Sequence, residues 1–515
     1  MNTETVEMKN FEQSMYDLIV KASTDLPTDI RHAMEDARQK ENAGTSALMA
    51  LDAVVLNNDM ALANRLPLCQ DTGQLNWKIH VPVGTNQIEM KGAIERAMIR
   101  ATQDALLRPN AVDPITGENS GNNLGPGLPA VEFIQWEEDH IDVKLMLKGG
   151  GSENKSVQYT LPCELDGLGF VGRDLDGVRK CILHAIYAAQ GQGCAPGFLG
   201  VGVGGDRTGS FKTAKEQLYR LINDINPDED LRKVEDYILD KAQTFGIGTL
   251  GFGGETTLLS CKIGKMNRVP ASFFVSVLYM CWAFRRLGVT VDPETGDITN
   301  WTYDGPHEGP KAAKTAKSES KEIIRLETPI SEKTIRTLNV GDVVSIHGMM
   351  YTGRDKLHKH LVDQEENDCP VDLDGHVIFH CGPVVRKEEG NWVVKAAGPT
   401  TSARCEPYQG DVMKRYGLRA ALGKGGLGEK TRAALQEHGG VYLNGIGGAA
   451  QFHADTIKKI HGVDYLDFGI PEAMWHMEVD GFLAVVTMDS KGNSIHKDVE
   501  KSSFEKLKEL ADPVF

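Results

Sequence analysis

Apolar positions cluster over residues 12–62, first at Met15, Tyr16, Leu18 and Ile19 and again at Ala47, Leu48, Met49, Leu51, Ala53, Val54 and Val55. This spacing predicts a helix-rich N-terminal stretch. The period then changes, because Ala130-Val131-Glu132-Phe133-Ile134 and Ile141-Asp142-Val143-Lys144-Leu145-Met146-Leu147 alternate as half-buried strands do. Further along, Asp342-Val343-Val344-Ser345-Ile346, His376-Val377-Ile378-Phe379 and Trp392-Val393-Val394-Lys395 are strand-like, each leading into a turn or a glycine-containing loop. Between these regions the pattern lapses. Asp304-Gly305-Pro306-His307-Glu308-Gly309-Pro310 precedes a run rich in Lys, Ala, Ser and Thr, the composition of a solvated linker. The expected architecture is a mixed α/β (α+β) fold, with a large domain over residues 1–290, a linker over 291–325 and a smaller α/β domain over 326–515. No solenoid-period repeat and no heptad run interrupts this division.

Composition narrows the function classes. A chain of 515 residues that is 41% apolar and 25% charged can bury full cores in two or more domains. Its net charge of −16 argues against nonspecific binding to nucleic acid or to an anionic membrane. Any anionic ligand must therefore be met by local cations. Nine cysteines, an odd number without disulfide-scaffold density, point to a reducing compartment. The first eleven residues lack the basic-then-apolar order of a signal peptide, so a cytoplasmic location is expected. The most apolar run, residues 271–284, falls short of the roughly 20 residues that span a bilayer and reads as buried core carrying Cys281.

Three cysteines sit in segments suited to holding a ligand: Cys69 in Pro67-Leu68-Cys69-Gln70-Asp71-Thr72-Gly73, Cys194 in Gly193-Cys194-Ala195-Pro196-Gly197, and Cys281 in Met280-Cys281-Trp282-Ala283. Three thiolates can hold an iron–sulfur cluster with one iron left open, since a closed site uses four. Spacing alone leaves the alternative open that each is a small buried hydrophobe. Gly149-Gly150-Gly151-Ser152-Glu153-Asn154-Lys155 follows a strand and is either an anion-binding turn or a plain one. Gly200-Val201-Gly202-Val203-Gly204-Gly205 matches G-x-G-x-x-G formally, but Asp206-Arg207-Thr208-Gly209 interrupts the turn and Asn223-Asp224-Ile225-Asn226-Pro227-Asp228, where a strand should end on an acidic residue, reads as loop. In the second domain, Arg354, Arg404 and Lys424 place three cations on three loops near strands. His358 and His360, two residues apart, share no helical face and read as surface or hydrogen-bonding groups. No G-x-S-x-G and no P-loop occurs.

Taken in order, these motifs, with Leu107-Arg108-Pro109-Asn110-Ala111-Val112, resemble the class I fumarate hydratases, an iron–sulfur family that also includes the L-tartrate dehydratases. The resemblance runs from about residue 12 to residue 505. It implies a cluster-binding α/β domain followed by a swivelling β/β/α-type domain. Cys69, Cys194 and Cys281 would ligate a 4Fe-4S cluster. Gln70, Arg108, Gly150, Arg354, Arg404 and Lys424 would bind a small dicarboxylate, and Thr400 assisted by Asp71 would move a proton. The implied activity is reversible hydration of fumarate to (S)-malate by a homodimer that binds neither nucleic acid nor membrane. The alternatives are a tartrate dehydratase or other dicarboxylate hydro-lyase, and a noncatalytic iron–sulfur protein. The pattern departs at Val269, where the family usually carries a histidine.

Overall fold

The computed structural model describes residues 8–305, 322–364 and 369–515. The expected helices are Phe11–Thr24, Thr28–Lys40 and Ser46–Asn64. Phe11–Thr24 buries Met15, Leu18, Ile19 and Ala22 along one stripe. Ser46–Asn64 begins where the Thr45 hydroxyl accepts the Leu48 N–H at 3.1 Å. It is long and apolar enough by composition to cross a membrane, but Ala50, Leu51, Val54 and Ala61 pack into the core.

Helices Phe11–Thr24 and Gln87–Gln103 pack on a five-stranded sheet whose order is Ile298–Thr302, Arg285–Val291, Ile141–Lys148, Gln74–Pro82 and Ala130–Trp136. The beginning of the expected linker is thus partly strand, since Ile298–Thr302 pairs antiparallel with Arg285–Val291. The middle of that linker, 306–321, lies outside the described residues. A second sheet orders Val157–Thr160, Phe274–Met280, Gly197–Gly204 and Leu258–Met266, backed by Leu175–Ala189 and Glu229–Gln243.

The glycines of residues 200–205 have a packing explanation. A Cβ on Gly200 would lie 2.2 Å from the Ala214 carbonyl oxygen, and one on Gly202 would lie 2.1 Å from that of Ser210. These glycines let helix Arg207–Gln217 lie directly on strand Gly197–Gly204, and Asp206 caps that helix through the Gly209 N–H at 2.6 Å. They make no phosphate loop.

The second half forms a seven-stranded sheet. Ile323–Glu327, Val343–Thr352, Val377–Phe379, Ala420–Gly423 and Val441–Asn444 run parallel in that order. The long strand Met474–Met488 pairs antiparallel with both Val441–Asn444 and Val343–Thr352, so the sheet curls back on itself. Parallel strands put their C-terminal loops on one side, and three of those loops carry Arg354, His380 and Lys424.

Candidate active site

The Cys69 loop is tied down from both sides. The Asn57 amide donates to the Leu68 carbonyl at 3.0 Å, and the Ala450 N–H reaches the same carbonyl at 3.3 Å. At the end of the loop Gly73 has φ +79°, and a Cβ there would lie 2.7 Å from the Lys148 carbonyl carbon. Only glycine fits that approach. Cys194 ends the short helix Gln190–Gly193 in the left-handed region, and Cys281 follows strand Phe274–Met280 directly. The fold brings the three together. Cys69 and Cys194 belong to one buried apolar cluster and Cys281 packs against it, whereas Cys163, Cys181 and Cys261 sit in another.

None of the nine cysteines is in a disulfide. Burial, reinforced by the neighbouring sulfurs of Cys194 and Cys69, pushes the Cys281 thiol up to about 12. Lys424 donates to the Cys194 sulfur at 2.8 Å. Burial works against this ammonium, yet the three sulfurs hold its pKa above the ordinary lysine value. Arg285 is 2% exposed, and its Nη2 donates to the Asp71 carbonyl at 2.7 Å. Its Nε and Nη1 have no hydrogen-bond partner among the described residues. Three converging sulfur donors, one buried lysine and one buried arginine with donors to spare fit an anionic metal–sulfur group.

Beside this cradle lies a cleft of about 840 Å³. Gln70, Asp71, Arg108, Gly150, Arg354, Thr400, Arg404 and Lys424, all singled out in the sequence, line it together. Eight Lys and Arg side chains face it against four Asp and Glu, a cationic pocket in an acidic chain. Hydrogen bonds join the two halves of the chain, two of them from cleft-lining residues. Arg108 Nη1 donates to the Gly382 carbonyl at 2.8 Å, the Gln70 amide donates to the Pro399 carbonyl at 3.2 Å, and Trp282 Nε1 donates to the Gly447 carbonyl at 2.8 Å. A Cβ on Gly398 would come within 2.3 Å of Gln70 Oε1.

Asp71 accepts from Arg108 Nη2 at 3.3 Å and from the Gly151 N–H at 3.4 Å. Burial raises its pKa, but the charges of Arg108, Lys424 and Arg285 outweigh burial and hold the carboxyl below its usual range. The Thr400 hydroxyl donates to the His380 carbonyl at 3.0 Å, so in this state it shares the cleft with Asp71 without bonding to it. Arg404 faces Asp355 at 3.2 Å, and Arg354 faces Glu472 at 3.2 Å.

Sequence reasoning missed Glu472 and Arg285. Burial, the largest influence, raises the Glu472 pKa against Arg354 beside it. Nothing in Gly469-Ile470-Pro471-Glu472 signals this, because the effect arises from the fold. Val269 is 65% exposed on the turn between two strands and does not line the cleft.

Behind the cleft, His358, His380 and Cys405 are buried with their donor atoms close together. His358 Nδ1–H donates to the Arg354 carbonyl at 2.8 Å, which leaves its neutral Nε2 as an acceptor. His380 Nδ1 meets the Ser402 hydroxyl at 2.7 Å, and both histidine Nε2 atoms lie 3.0 Å from the Gln409 side-chain amide. With that amide turned so that its NH2 faces the rings, its two hydrogens satisfy both lone pairs. Burial lowers both histidine pKa values, in keeping with neutral rings. The group reads as a hydrogen-bond frame behind the Arg354, Thr400 and Arg404 loops. His358 is therefore hydrogen-bonding, as its spacing suggested, but it is not at the surface.

Two family models match this chain, fumarate hydratase over residues 12–290 and the fumarase C-terminus over residues 296–499. The chain belongs to the class I fumarate hydratase family. A Geobacillus stearothermophilus protein described as a fumarate hydratase class I is 60% identical over 516 residues, covering 99% of this chain and 100% of that one. The aerobic class I fumarate hydratase of Escherichia coli K12 is 25% identical over 488 residues, 91% of this chain and 85% of that one. A Methanocaldococcus jannaschii protein described as an L(+)-tartrate dehydratase subunit alpha is 34% identical over 275 residues, 52% of this chain and 93% of that one. In these two fumarate hydratase relatives the two parts are one chain, whereas the Methanocaldococcus jannaschii proteins described as L(+)-tartrate dehydratase subunits alpha and beta match them separately.

Proposed function

We propose that this chain is a fumarate hydratase, a hydro-lyase that reversibly adds water to fumarate to give (S)-malate. The observation that carries this reading is the cationic cleft, which gathers eight sequence-flagged residues next to three converging cysteines. Cys69, Cys194 and Cys281 would hold a 4Fe-4S cluster. Bound there, the cluster supplies a Lewis-acidic iron with an open position.

The chain's own residues do the remainder. Arg108, Arg354, Arg404 and Lys424 orient the two carboxylates and offset their charge, with the Gln70 amide and the backbone at Gly150 completing the pocket. Before substrate arrives, Arg108 holds Asp71 low and Arg354 faces Glu472. A dicarboxylate that draws Arg108 toward itself makes Asp71 more basic. Thr400 then turns its hydroxyl from the His380 carbonyl to Asp71 and exchanges a proton at the substrate carbon. Protein in the cytoplasm as a homodimer, with the cluster on the first domain and most of the substrate cations on the second, completes the proposal.

Anaerobic cluster reconstitution followed by assays on malate, fumarate and tartrate tests it. Faster turnover of malate than of tartrate is expected. Turnover of tartrate alone would favour the second reading, which the tartrate dehydratase relatives support. A loaded cluster with no hydro-lyase activity on any of the three would indicate a noncatalytic iron–sulfur protein.

Glu472 gives a pH signature. Above its raised pKa the carboxylate is charged, repels a dianion and competes for Arg354; below it that charge is gone. Apparent affinity is therefore expected to strengthen as pH falls through this pKa, which lies above the usual glutamate value. Profiles of KM against pH check this, and Glu472→Gln is expected to lose the dependence.

A further inference from the structure

Arg285 has no part in the mechanism above, yet it is among the most deeply buried charges in the chain. It begins strand Arg285–Val291, four residues after Cys281, and register pairs it with Leu147 in the centre of the first sheet. One nitrogen, Nη2, is spent on the Asp71 carbonyl, two residues from Cys69. The other two, Nε and Nη1, have neither a protein acceptor nor access to bulk water among the described residues. Leaving two donors of one buried guanidinium unsatisfied is costly, and an acceptor that is not protein is one physical answer to that cost. Nearby Arg286 differs in having a carboxylate partner: its Nη1 and Nη2 reach Asp29 and its Nη2 also bonds the Arg220 carbonyl, which leaves only its Nε without a partner.

The surroundings identify the acceptor. Nη2 holds the backbone two residues from Cys69, and the orphaned Nε and Nη1 belong to the same buried guanidinium. Its strand starts four residues after Cys281. A planar fork anchored two residues from Cys69 and four residues after Cys281, with no carboxylate bonded to it, suits a polyanionic group held by those cysteines.

We infer that Arg285 is a positioning residue for the metal–sulfur group, donating its Nε–H and Nη1–H to sulfur atoms at the edge held by Cys69 and Cys281 while Nη2 fixes the Asp71 backbone. This rests on the cluster reading proposed above. Hydrogen bonds to cluster sulfurs and a nearby positive charge stabilise the more reduced, more negative state. Arg285 therefore raises the cluster's reduction potential and slows its loss. It also links the cluster to the backbone of the residue proposed to assist Thr400.

The test uses full-length protein reconstituted anaerobically with iron and sulfide. In wild type labelled with 15N-arginine, pulsed EPR of the reduced cluster is expected to show a 15N hyperfine coupling. Absence of that coupling in a loaded cluster overturns the inference. Arg285→Met is expected to load iron through the same three cysteines, to shift the cluster midpoint to more negative potential, and to lose visible absorbance several-fold faster in air. Arg285→Lys, which keeps charge but loses the fork, is expected to restore part of the potential and little of the air stability. A loaded Arg285→Met protein with wild-type potential and wild-type decay also overturns the inference while leaving the cluster reading intact. If wild type takes up no cluster, the cluster reading itself falls, and this inference with it. Should Arg285→Met fail to fold, the labelling experiment on wild type still decides.

Discussion

Serine at Cys69, Cys194 or Cys281, introduced singly and followed by anaerobic reconstitution, is expected to abolish the visible absorbance of the cluster, whereas Cys163→Ser is expected to keep it. The distinction is geometric. All four residues are free thiols, but Cys163 packs against the cluster of apolar residues containing Cys181 and Cys261, away from Lys424 and Arg285. The other three meet where Lys424 donates to Cys194 and where burial raises the Cys281 thiol to about 12. Such a thiol is a poor metal ligand until metal binding displaces its proton, so losing one of three donors removes a large share of the affinity. A serine hydroxyl is harder and far less readily ionised, and it does not replace thiolate for iron in a sulfur environment. Equal absorbance in all four variants would remove the ligand assignment.

The second large effect is expected at Thr400. Thr400→Ala is expected to lower kcat by roughly 100- to 10,000-fold, the range for loss of a positioned proton-transfer group, with cluster absorbance unchanged. The loop should survive the change, because its backbone is held independently. The Thr400 N–H donates to the His380 carbonyl at 2.7 Å, and the Lys424 N–H donates to the Thr400 carbonyl at 3.2 Å. Only the hydroxyl and a methyl group are lost. Thr400→Ser keeps the hydroxyl and is expected to recover most of the turnover. Comparison of kcat and KM separates this role from binding, since a pure substrate contact would appear mainly in KM. Near-normal kcat in Thr400→Ala would exclude Thr400 from proton transfer.

Much of this site could be read from local sequence because it is built from loops punctuated by glycine and proline, whose backbone demands are local. Residues 67–73 and 398–404 announce themselves in this way, and the cleft gathers residues from both. The helices of residues 12–62 and the strands around 130–147 were likewise legible from their periods. Arg285 and Glu472 were not, because an arginine at a strand start and a glutamate after a proline look ordinary until burial removes water from around them. The glycine run at 200–205, whose match to a dinucleotide fingerprint is only formal, has a packing reason that the sequence does not show. Its residues answer to helix Arg207–Gln217 packed on the strand, a tertiary contact. His358 was read correctly as a hydrogen-bonding group, but its depth depends on Gln409, 51 positions away.

The hydrogen bonds that join the two halves cross between them without any covalent bond. Asn57 Oδ1 accepts from the Gln451 N–H at 2.8 Å, the Gln451 amide reaches back to the Pro67 carbonyl at 2.9 Å, and Arg108 and Trp282 anchor on the carbonyls of Gly382 and Gly447. What holds the site shut is therefore recognition rather than tethering. The peptide connection sets stoichiometry: each cysteine cradle is made with one set of cations already attached, at an effective concentration that free subunits would need high expression to match.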